Sequence, residues 1–355
     1  MRKEHILVIR FSAMGDVAMV VPVVWSLAHQ YPDLRITVLS RGFARPLFED
    51  LAPNVGFMEA DLKREYHGIK GLNALYRRLT AKQFTAIADL HDVLRSGYLR
   101  MRFNIGRYHV AHIDKHRKGR RRITSSHNKQ LTQQPTSFQN YADVFARLGY
   151  PVDVQFTSIF GAQGGDLSLL PADMSQKPAH EQWIGLAPFA AHEGKVYPPD
   201  RMQQAIEQLL AAHPERRIFF FGRGQQEDQY FAEWSRQYAQ CTFVGRQLNT
   251  LSHELILMSH LDVMVSMDSS NMHLASLTGI PVVSVWGATH PYAGFMGWGQ
   301  SEENAVQLDL DCRPCSIFGQ KPCMRGDYAC MNGIRPDDIV KKTENILTIN
   351  NKLNI

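Results

Sequence analysis

The chain has 355 residues, of which 44% are hydrophobic and 21% are charged, and its formal net charge is +5. A single hydrophobic core usually stops growing below this length, so two domains are predicted. The near-average composition excludes a disordered or fibrous protein. The longest apolar stretches, Val17–Leu27 and Ile280–Trp286, are shorter than the roughly 20 residues of a membrane span.

The charged opening segment Met1–His5 leads into a short apolar run. This segment lacks the apolar core and the small-residue cleavage site of a secretory signal peptide. We therefore expect a cytoplasmic protein whose contact with a membrane is peripheral.

In the first half, apolar runs of strand length alternate with amphipathic segments of helix length, which indicates parallel βαβ units. The predicted strands are His5–Phe11, Leu34–Ser40, Gly56–Ala60 and Phe84–Leu90. The predicted helices are Asp16–Gln30, Gly71–Lys82 and Ser137–Leu148.

The same alternation restarts after Gly161–Pro178, whose Gly, Pro and Ser content suits a linker between domains. The predicted strands are Trp183–Ala187, Arg216–Phe221, Cys241–Val244, Val263–Met267 and Val282–Trp286. The predicted helices are Asp200–Ala212, Glu227–Tyr238, Leu251–His260 and Ser270–Leu277.

The predicted fold class is α/β, with two Rossmann-like, doubly wound domains that face a central cleft. The predicted domains are residues 1–165 and 180–335, followed by a C-terminal helix, 336–355, that could pack back toward the first domain. Because doubly wound sheets bind ligands beyond the carboxyl ends of their strands, the loops after the strands are the places to search for a site.

The first such loop is Ser12-Ala13-Met14-Gly15-Asp16. It has one of the three glycines of the dinucleotide fingerprint, which disfavours a dehydrogenase. Two interpretations of Asp16 stay open: it caps the following helix, as aspartate often does, or it supplies a carboxylate to a site.

A second loop, Asp268-Ser269-Ser270, opens a helix that carries His273 one turn later. The N–H groups of a helix start, with hydroxyls and a histidine, can hold a diphosphate. Alternatively, Asp268 or Ser269 is a plain cap and His273 a packing residue.

Two further loops offer charged side chains. Lys195 follows the predicted strand 183–187 and could neutralise phosphate, or it is simply solvated. Glu227 follows the strand 216–221, and its carboxylate could accept hydrogen bonds from ribose hydroxyls.

Basic residues cluster in the first half: Arg100, Arg102, Arg107, Lys115, Arg117, Lys118, Arg120, Arg121 and Arg122. Such a cluster attracts nucleic acid, anionic lipid or phosphorylated glycans, or it is a solvated loop. No nucleic-acid-binding motif accompanies it, so no nucleic-acid partner is expected.

Four of the five cysteines lie near the C-terminus: Cys312, Cys315, Cys323 and Cys330. Their spacing is compatible with a structural zinc site or with a set of buried thiols. Structural disulfides are disfavoured because no signal peptide is predicted. No catalytic metal is expected here.

These motifs together resemble the ADP-heptose:lipopolysaccharide heptosyltransferases, glycosyltransferase family 9. The opening strand and turn, Ile6–Val17, resemble the family's S-x-M/I-G-D turn. Asp268–Ala275, Gly279–Pro281 and Trp286–Thr289 resemble its D-[ST]-G-x-x-H-L-A, G-x-P and G-x-T signature. The cysteine-bearing tail also occurs in many members.

The resemblance implies a GT-B fold and metal-independent, inverting transfer from a nucleotide-sugar, ADP-heptose, to a lipopolysaccharide-core or lipid-linked glycan. It implies Asp16 as the general base, and it implies that the acceptor binds the N-terminal domain, where Ser12, Gly15, Arg95 and Arg120 are the candidate contacts. It implies donor contacts from Lys195, Glu227, Asp268, Ser269, Ser270 and His273.

Ser270 stands where the family has glycine, so close approach of the backbone to phosphate is expected to be harder. This leaves a different nucleotide-sugar, an epimerase, or a non-catalytic glycan-binding relative as alternatives. The basic cluster predicts peripheral binding to an anionic membrane, at the inner face of the cytoplasmic membrane, where such acceptors lie.

Overall fold

The computed structural model describes residues 4–353, and their side chains as far as residue 349. By its internal contacts the chain divides into two units. The first unit comprises the described residues up to Lys115 together with Pro135–Phe156, and the second comprises His116–Gln134 and the residues from Thr157 onward. The predicted domain 1–165 therefore differs from the observed grouping in two segments, His116–Gln134 and residues 157–165.

Hydrogen bonds explain why this segment groups with the second unit. The Gln134 N–H donates to the carbonyl of Tyr292 at 2.9 Å. The Lys129 ammonium donates to the carbonyls of Asp311 and Arg313 at 2.8 and 2.9 Å. The basic residues 117–122, predicted in the N-terminal domain, are thus part of the second unit by their contacts.

The first unit is built on a five-stranded parallel sheet in the order β3-β2-β1-β4-β5. Its central strand β1 is buried along its whole length, as expected for a parallel sheet covered on both faces. The strands are β1 (His5–Ile9), β2 (Arg35–Ser40), β3 (Val55–Glu59), β4 (Ala86–Asp89) and β5 (His109–His112). The helices are α1 (Met14–Ala18), α2 (Val20–Gln30), α3 (Gly68–Thr80), α4 (Leu94–Ile105) and α6 (Ser137–Arg147).

The second unit is built on a six-stranded parallel sheet in the order β11-β10-β9-β6-β7-β8. The strands are β6 (Gln182–Ala187), β7 (Arg216–Phe220), β8 (Cys241–Phe243), β9 (Val263–Met267), β10 (Val282–Val285) and β11 (Ala305–Val306). The helices are α5 (Arg117–Ile123), α7 (Pro199–Ala212), α8 (Gln225–Gln237), α9 (Val244–Gln247), α10 (Leu251–Met258), α11 (Ser270–Leu277), α12 (Ala329–Asn332) and α13 (Pro336–Leu353).

The predicted α/β class is confirmed, and the predicted strands and most of the predicted helices occur within a few residues of their expected bounds. The predicted helix Asp16–Gln30 is two helices that meet at Met19. Pro22 has no N–H to donate to the carbonyl four residues earlier, which explains the break. The prediction missed α4, β5, α5, α9, β11 and α12.

The register of each sheet brings distant loops together. In the first sheet, Ile9 pairs with Asp89, so the loops after β1 and β4 leave the sheet side by side. In the second sheet, Ala187 pairs with Ser266, and Met267 pairs with Val285. The loops after β6, β9 and β10 therefore lie at one edge, as the rule for doubly wound sheets requires.

The C-terminal helix α13 groups with the second unit, where it packs on α7 and on β9 and β10. An ion pair fixes it there. The Arg216 side chain at the start of β7 is fully buried, and its guanidinium donates to both carboxylate oxygens of Glu344 at 2.5 and 2.7 Å. No helix in the described part of the chain is long and apolar enough to cross a membrane.

Glu344→Ala should destabilise the second unit strongly. It leaves the buried Arg216 guanidinium without its carboxylate, which typically costs about 3–5 kcal/mol. Urea denaturation measures the loss. Arg335→Ala is the control because it removes the exposed Arg335–Asp338 pair, which is worth about 0–1 kcal/mol. Equal losses in the two variants would show that Glu344 does not stabilise the attachment of α13.

Candidate functional site

Asp16 lies at the carboxyl edge of the first sheet in a partly buried ion pair. The Arg10 guanidinium, which follows β1, lies 2.6 Å from the Asp16 carboxylate. The Asp16 side chain is 27% exposed, so one side of it faces solvent. The N-cap of α1 is Ala13, and its N–H donates to the Asp16 carboxylate at 3.3 Å. Asp16 is therefore the third residue of α1 and reaches back to its first turn, rather than capping the helix itself.

Arg10 is a site residue that the sequence analysis missed. Its guanidinium also donates to the Leu90 carbonyl at 2.7 Å and lies over the ring of Tyr141, 5.9 Å from the ring centroid. Burial acts to lower the pKa of Arg10, but Tyr141 and the Asp16 carboxylate outweigh burial and raise it. Arg10 is thus a fixed cation behind Asp16. An arginine directly after the apolar run Ile6–Ile9 was the signal for it in the sequence.

His91, in the loop after β4, adds a neutral ring beside this pair. Its Nδ1 accepts a hydrogen bond from the Phe11 N–H at 3.4 Å, so its proton is assigned to Nε2, which lies 3.5 Å from the Ser12 hydroxyl. Burial, and then the charges of Arg10 and Lys115, lower the pKa of His91 to about 3. His91 is therefore neutral at physiological pH.

The candidate acceptor contacts are distributed over several elements. Ser12 and Gly15 lie in the same turn as Asp16. Arg95 is exposed on the first turn of α4. Arg120 groups with the second unit, and its guanidinium lies 4.7 Å from the centroid of the Phe295 ring. The role of these residues in acceptor binding stays a prediction.

In the second unit, Lys195 and Asp268 meet at the carboxyl edge of the sheet. The Lys195 ammonium lies 3.0 Å from the Asp268 carboxylate and donates to the Asp268 carbonyl at 2.9 Å. The Thr289 hydroxyl, in the loop after β10, donates to the same carboxylate at 2.8 Å. Asp268 is therefore occupied by Lys195 and Thr289 and does not cap α11. The loops after β6, β9 and β10 contribute one residue each to this cluster.

Helix α11 begins directly after Asp268 and Ser269. Its N-cap residue, Ser269, makes no capping hydrogen bond with its side chain, and its hydroxyl lies 3.2 Å from that of Ser266. Ser270 is the first residue of the helix and does not have a positive φ. The backbone conformation at this position therefore does not require glycine, and serine is accommodated without strain. His273 is buried one turn further on.

Glu227 occupies the first turn of α8, beside the loop after β7. It packs so closely on Gly222 that a Cβ at that position would lie 2.4 Å from the Glu227 carboxylate. Burial raises the pKa of Glu227, and Asp228 adds to the rise. The carboxyl group is thus held in place at the strand-end loop, where it could accept a hydrogen bond.

The cysteine-bearing tail stabilises the loop that carries Thr289 through hydrogen bonds. The buried Arg313 guanidinium donates to the carbonyls of Gly287 and Thr289 at 2.5 and 2.9 Å. Gly319 has φ of +80°, and a Cβ there would lie 2.7 Å from the Lys195 side chain. Sequence analysis singled out neither residue, although Arg313 lies between Cys312 and Cys315.

The four tail cysteines, Cys312, Cys315, Cys323 and Cys330, are free thiols that line one cavity. Burial raises the pKa of Cys315 and Cys330. Burial also acts on Cys323, but backbone N–H groups of the 325–328 turn lower its pKa. Within residues 4–353, no three His, Cys, Asp or Glu side chains are arranged to hold a metal ion. The structure therefore does not show the zinc site with which the cysteine spacing is compatible, and that interpretation stays untested beside the alternative of buried thiols.

The chain was compared with known proteins. A model of glycosyltransferase family 9 (heptosyltransferase) matches residues 72–323, well over half of the chain. Lipooligosaccharide heptosyltransferase 2 of Campylobacter jejuni is 29% identical over 86 residues, which are 24% of this chain and 26% of that protein. The match thus spans about a quarter of the length of this curated relative.

Solved structures show the same fold over almost the whole chain. E. coli ADP-heptose lps heptosyltransferase II has a TM-score of 0.70 at 17% identity and covers 98% of this chain and 99% of its own. E. coli heptosyltransferase WaaC, solved with ADP, has a TM-score of 0.67 at 17% identity, with coverage of 96% and 99%. A family 9 glycosyl transferase of Veillonella parvula has a TM-score of 0.68 at 17% identity, with coverage of 98% of both chains. The predicted GT-B fold is confirmed.

Acidification should destabilise the first unit partly through His91. The unfolded chain binds a proton to this ring near pH 6.5, whereas the folded pKa is about 3. The unfolded state therefore binds more protons between these values, and stability falls as the pH drops below about 6.5. Urea unfolding at about pH 7.5 and about pH 4.5 should show a loss smaller by about 2 kcal/mol in His91→Gln than in the wild type. An identical pH dependence in both proteins would show that His91 is not held neutral.

Proposed function

The chain belongs to glycosyltransferase family 9, and from this we propose that it is a glycosyltransferase that moves heptose from ADP-heptose onto a lipopolysaccharide-core or related lipid-linked glycan. The observation that carries the proposal is the Lys195–Asp268–Thr289 cluster beside the start of α11. The solved E. coli relatives, one of them with ADP, support the choice of donor.

In the proposal, Lys195 and the first N–H groups of α11 hold the donor diphosphate. An ammonium has three hydrogen-bond donors, and Asp268 accepts from Lys195 at two positions, its carboxylate and its carbonyl. One N–H direction is left for a phosphate oxygen. Helix-start amides favour anions, and positive charge placed before the reaction stabilises a departing diphosphate. Ser269, Ser270 and His273 complete the pocket, and Glu227 accepts a hydrogen bond from the ribose.

Asp16 is the proposed general base. Inverting transfer is a single displacement, in which the acceptor hydroxyl attacks the anomeric carbon and loses its proton to a carboxylate. Arg10 and the Ala13 N–H orient Asp16 from behind, and its exposed side is left for a hydroxyl. The neutral His91 ring is a weak base, because its pKa is held at about 3. In this proposal, neither the binding of the diphosphate nor the removal of the proton by Asp16 uses a metal ion.

The acceptor of such an enzyme is attached to a membrane, so we also propose peripheral association with an anionic bilayer. Part of the attraction comes from α5, on which Arg117, Lys118, Arg121 and Arg122 are exposed. Basic side chains near an anionic surface contribute about 1 kcal/mol each.

Wild-type protein incubated with ADP-heptose and heptose-deficient core lipopolysaccharide should add one heptose to the core, detected by mass spectrometry. The same assay with other nucleotide-sugars tests the alternative donors. Absence of both ADP-heptose binding and transfer in the wild type would support the non-catalytic, glycan-binding alternative. Conversion of the donor to an epimer would support the epimerase.

Lys195→Met should weaken ADP binding by roughly 10- to 150-fold, because one charge-assisted hydrogen bond is worth about 1.5–3 kcal/mol. Isothermal titration calorimetry measures the affinity. Lys177→Met is the matched control, since Lys177 forms an equivalent ion pair with Asp262, at 2.7 Å, at the amino ends of the strands of the same sheet. Equal effects of the two substitutions would indicate that Lys195 acts through stability and not through the donor.

A further inference from the structure

Exposed apolar side chains concentrate on one part of the first unit. Of ten exposed large hydrophobic side chains in the described residues, five lie on or directly before α3 and α4, so they are not scattered over the surface. The exposed fraction is 95% for Leu94, 47% for Met101 and 71% for Ile105. Single exposed apolar residues are ordinary in soluble proteins, but a cluster indicates a contact surface.

The three α4 side chains lie on one side of the helix, because their spacing of seven and four residues matches two turns and one turn. The opposite side of α4 carries Leu99 and Phe103, which are buried in the core. The helix is therefore apolar on two faces. One apolar face of α4 is packed on the core, and the other is open to solvent and free to contact a partner surface.

Helix α3 extends this surface. The Tyr98 hydroxyl of α4 donates to the Asn73 side chain of α3 at 2.9 Å, and the Arg102 guanidinium lies 4.6 Å from the centroid of the Tyr76 ring. Ile69 is exposed one turn before Asn73. We call the exposed side chains of these two helices the α3–α4 face: Ile69, Leu94, Met101 and Ile105, with Lys70, Arg77, Arg95 and Arg107 around them.

The charged side chains of the α3–α4 face are all basic. Neither α3 nor α4 contains an aspartate or glutamate. The acidic residues that precede the two helices are Glu65 and Asp92, and Asp92 is paired with Arg100 at 3.0 Å. Lys70, Arg77, Arg95 and Arg107 therefore surround the apolar stripe with little compensation nearby.

The combination of exposed apolar side chains with surrounding basic side chains indicates which class of partner the α3–α4 face binds. In a dimer through this face, basic side chains of one copy would meet basic side chains of the other, which costs energy when the charges are desolvated. A nucleic acid would match the charges but leave the aliphatic stripe without a partner. An anionic bilayer matches both parts, since interfacial helices insert apolar side chains at the boundary of headgroups and acyl chains and place basic residues among the phosphates.

We propose that the α3–α4 face docks on the surface of an anionic lipid bilayer, with Leu94, Met101 and Ile105 inserted and the surrounding basic side chains at lipid phosphates. The contact belongs to the first unit and is separate from the attraction by α5. The membrane contact uses no residue of the proposed donor pocket, so it can be tested independently of transfer activity.

The test is co-sedimentation with vesicles of phosphatidylglycerol and phosphatidylethanolamine, compared with vesicles of phosphatidylcholine. Wild-type protein should bind the anionic vesicles more tightly. The variant L94S/M101S/I105S should bind them on the order of tenfold more weakly, because it removes the inserted apolar area and keeps the charges. L94S alone should show part of the loss of vesicle binding. Because Leu94 is almost fully exposed, this substitution should not disturb folding.

The control variant L169S/M324S removes two exposed apolar side chains of the second unit and should bind like the wild type. Wild-type-like binding by the triple variant, or no preference of the wild type for anionic vesicles, would overturn the proposal. So would self-association that the triple variant abolishes while vesicle binding persists. Calorimetry with ADP on the same variants separates this result from the donor proposal, since ADP affinity should be unchanged.

Discussion

A charged side chain that is removed from water needs a partner of opposite charge, and the architecture of both units depends on this requirement. Parallel strands end at the same edge of a sheet, so loops far apart in sequence converge there. In the first unit the buried Arg10 meets Asp16, and in the second Lys195 meets the buried Asp268. Each ion pair fixes a charged side chain to about a hydrogen-bond length while leaving one member accessible. A similar pair, Arg216–Glu344, anchors the last helix.

The two pairs are arranged for different chemistry. In the first unit the carboxylate is the partly exposed member and the cation is buried, which suits a group that accepts a proton. In the second unit the carboxylate is buried and the ammonium is more exposed, which suits a group that binds an anion. Thr289 and Arg313 hold the second arrangement in place, so the cysteine-bearing tail supports the loop of the proposed donor pocket.

The sequence alone predicted the α/β class, nine of the eleven strands in the described residues and the loops that carry Asp16, Lys195 and Asp268, because alternation and polar strand ends are local signals. It missed α4, since apolar residues on both sides of that helix obscure the amphipathic period. It could not find Arg10, Arg313 or Thr289 as partners, because pairing across strands depends on register. The grouping of residues 116–134 with the second unit likewise depends on hydrogen bonds to residues more than 150 positions away.

The most direct test of the account is Asp16→Asn, measured for both turnover and donor binding. The substitution keeps the shape of the side chain and removes its capacity to accept a proton. The account predicts that kcat falls by about 10²–10⁴-fold, while the calorimetric Kd for ADP-heptose stays the same. Retained turnover would contradict the role of Asp16 as the base, and a matching loss of donor affinity would show that Asp16 serves the structure of the site instead.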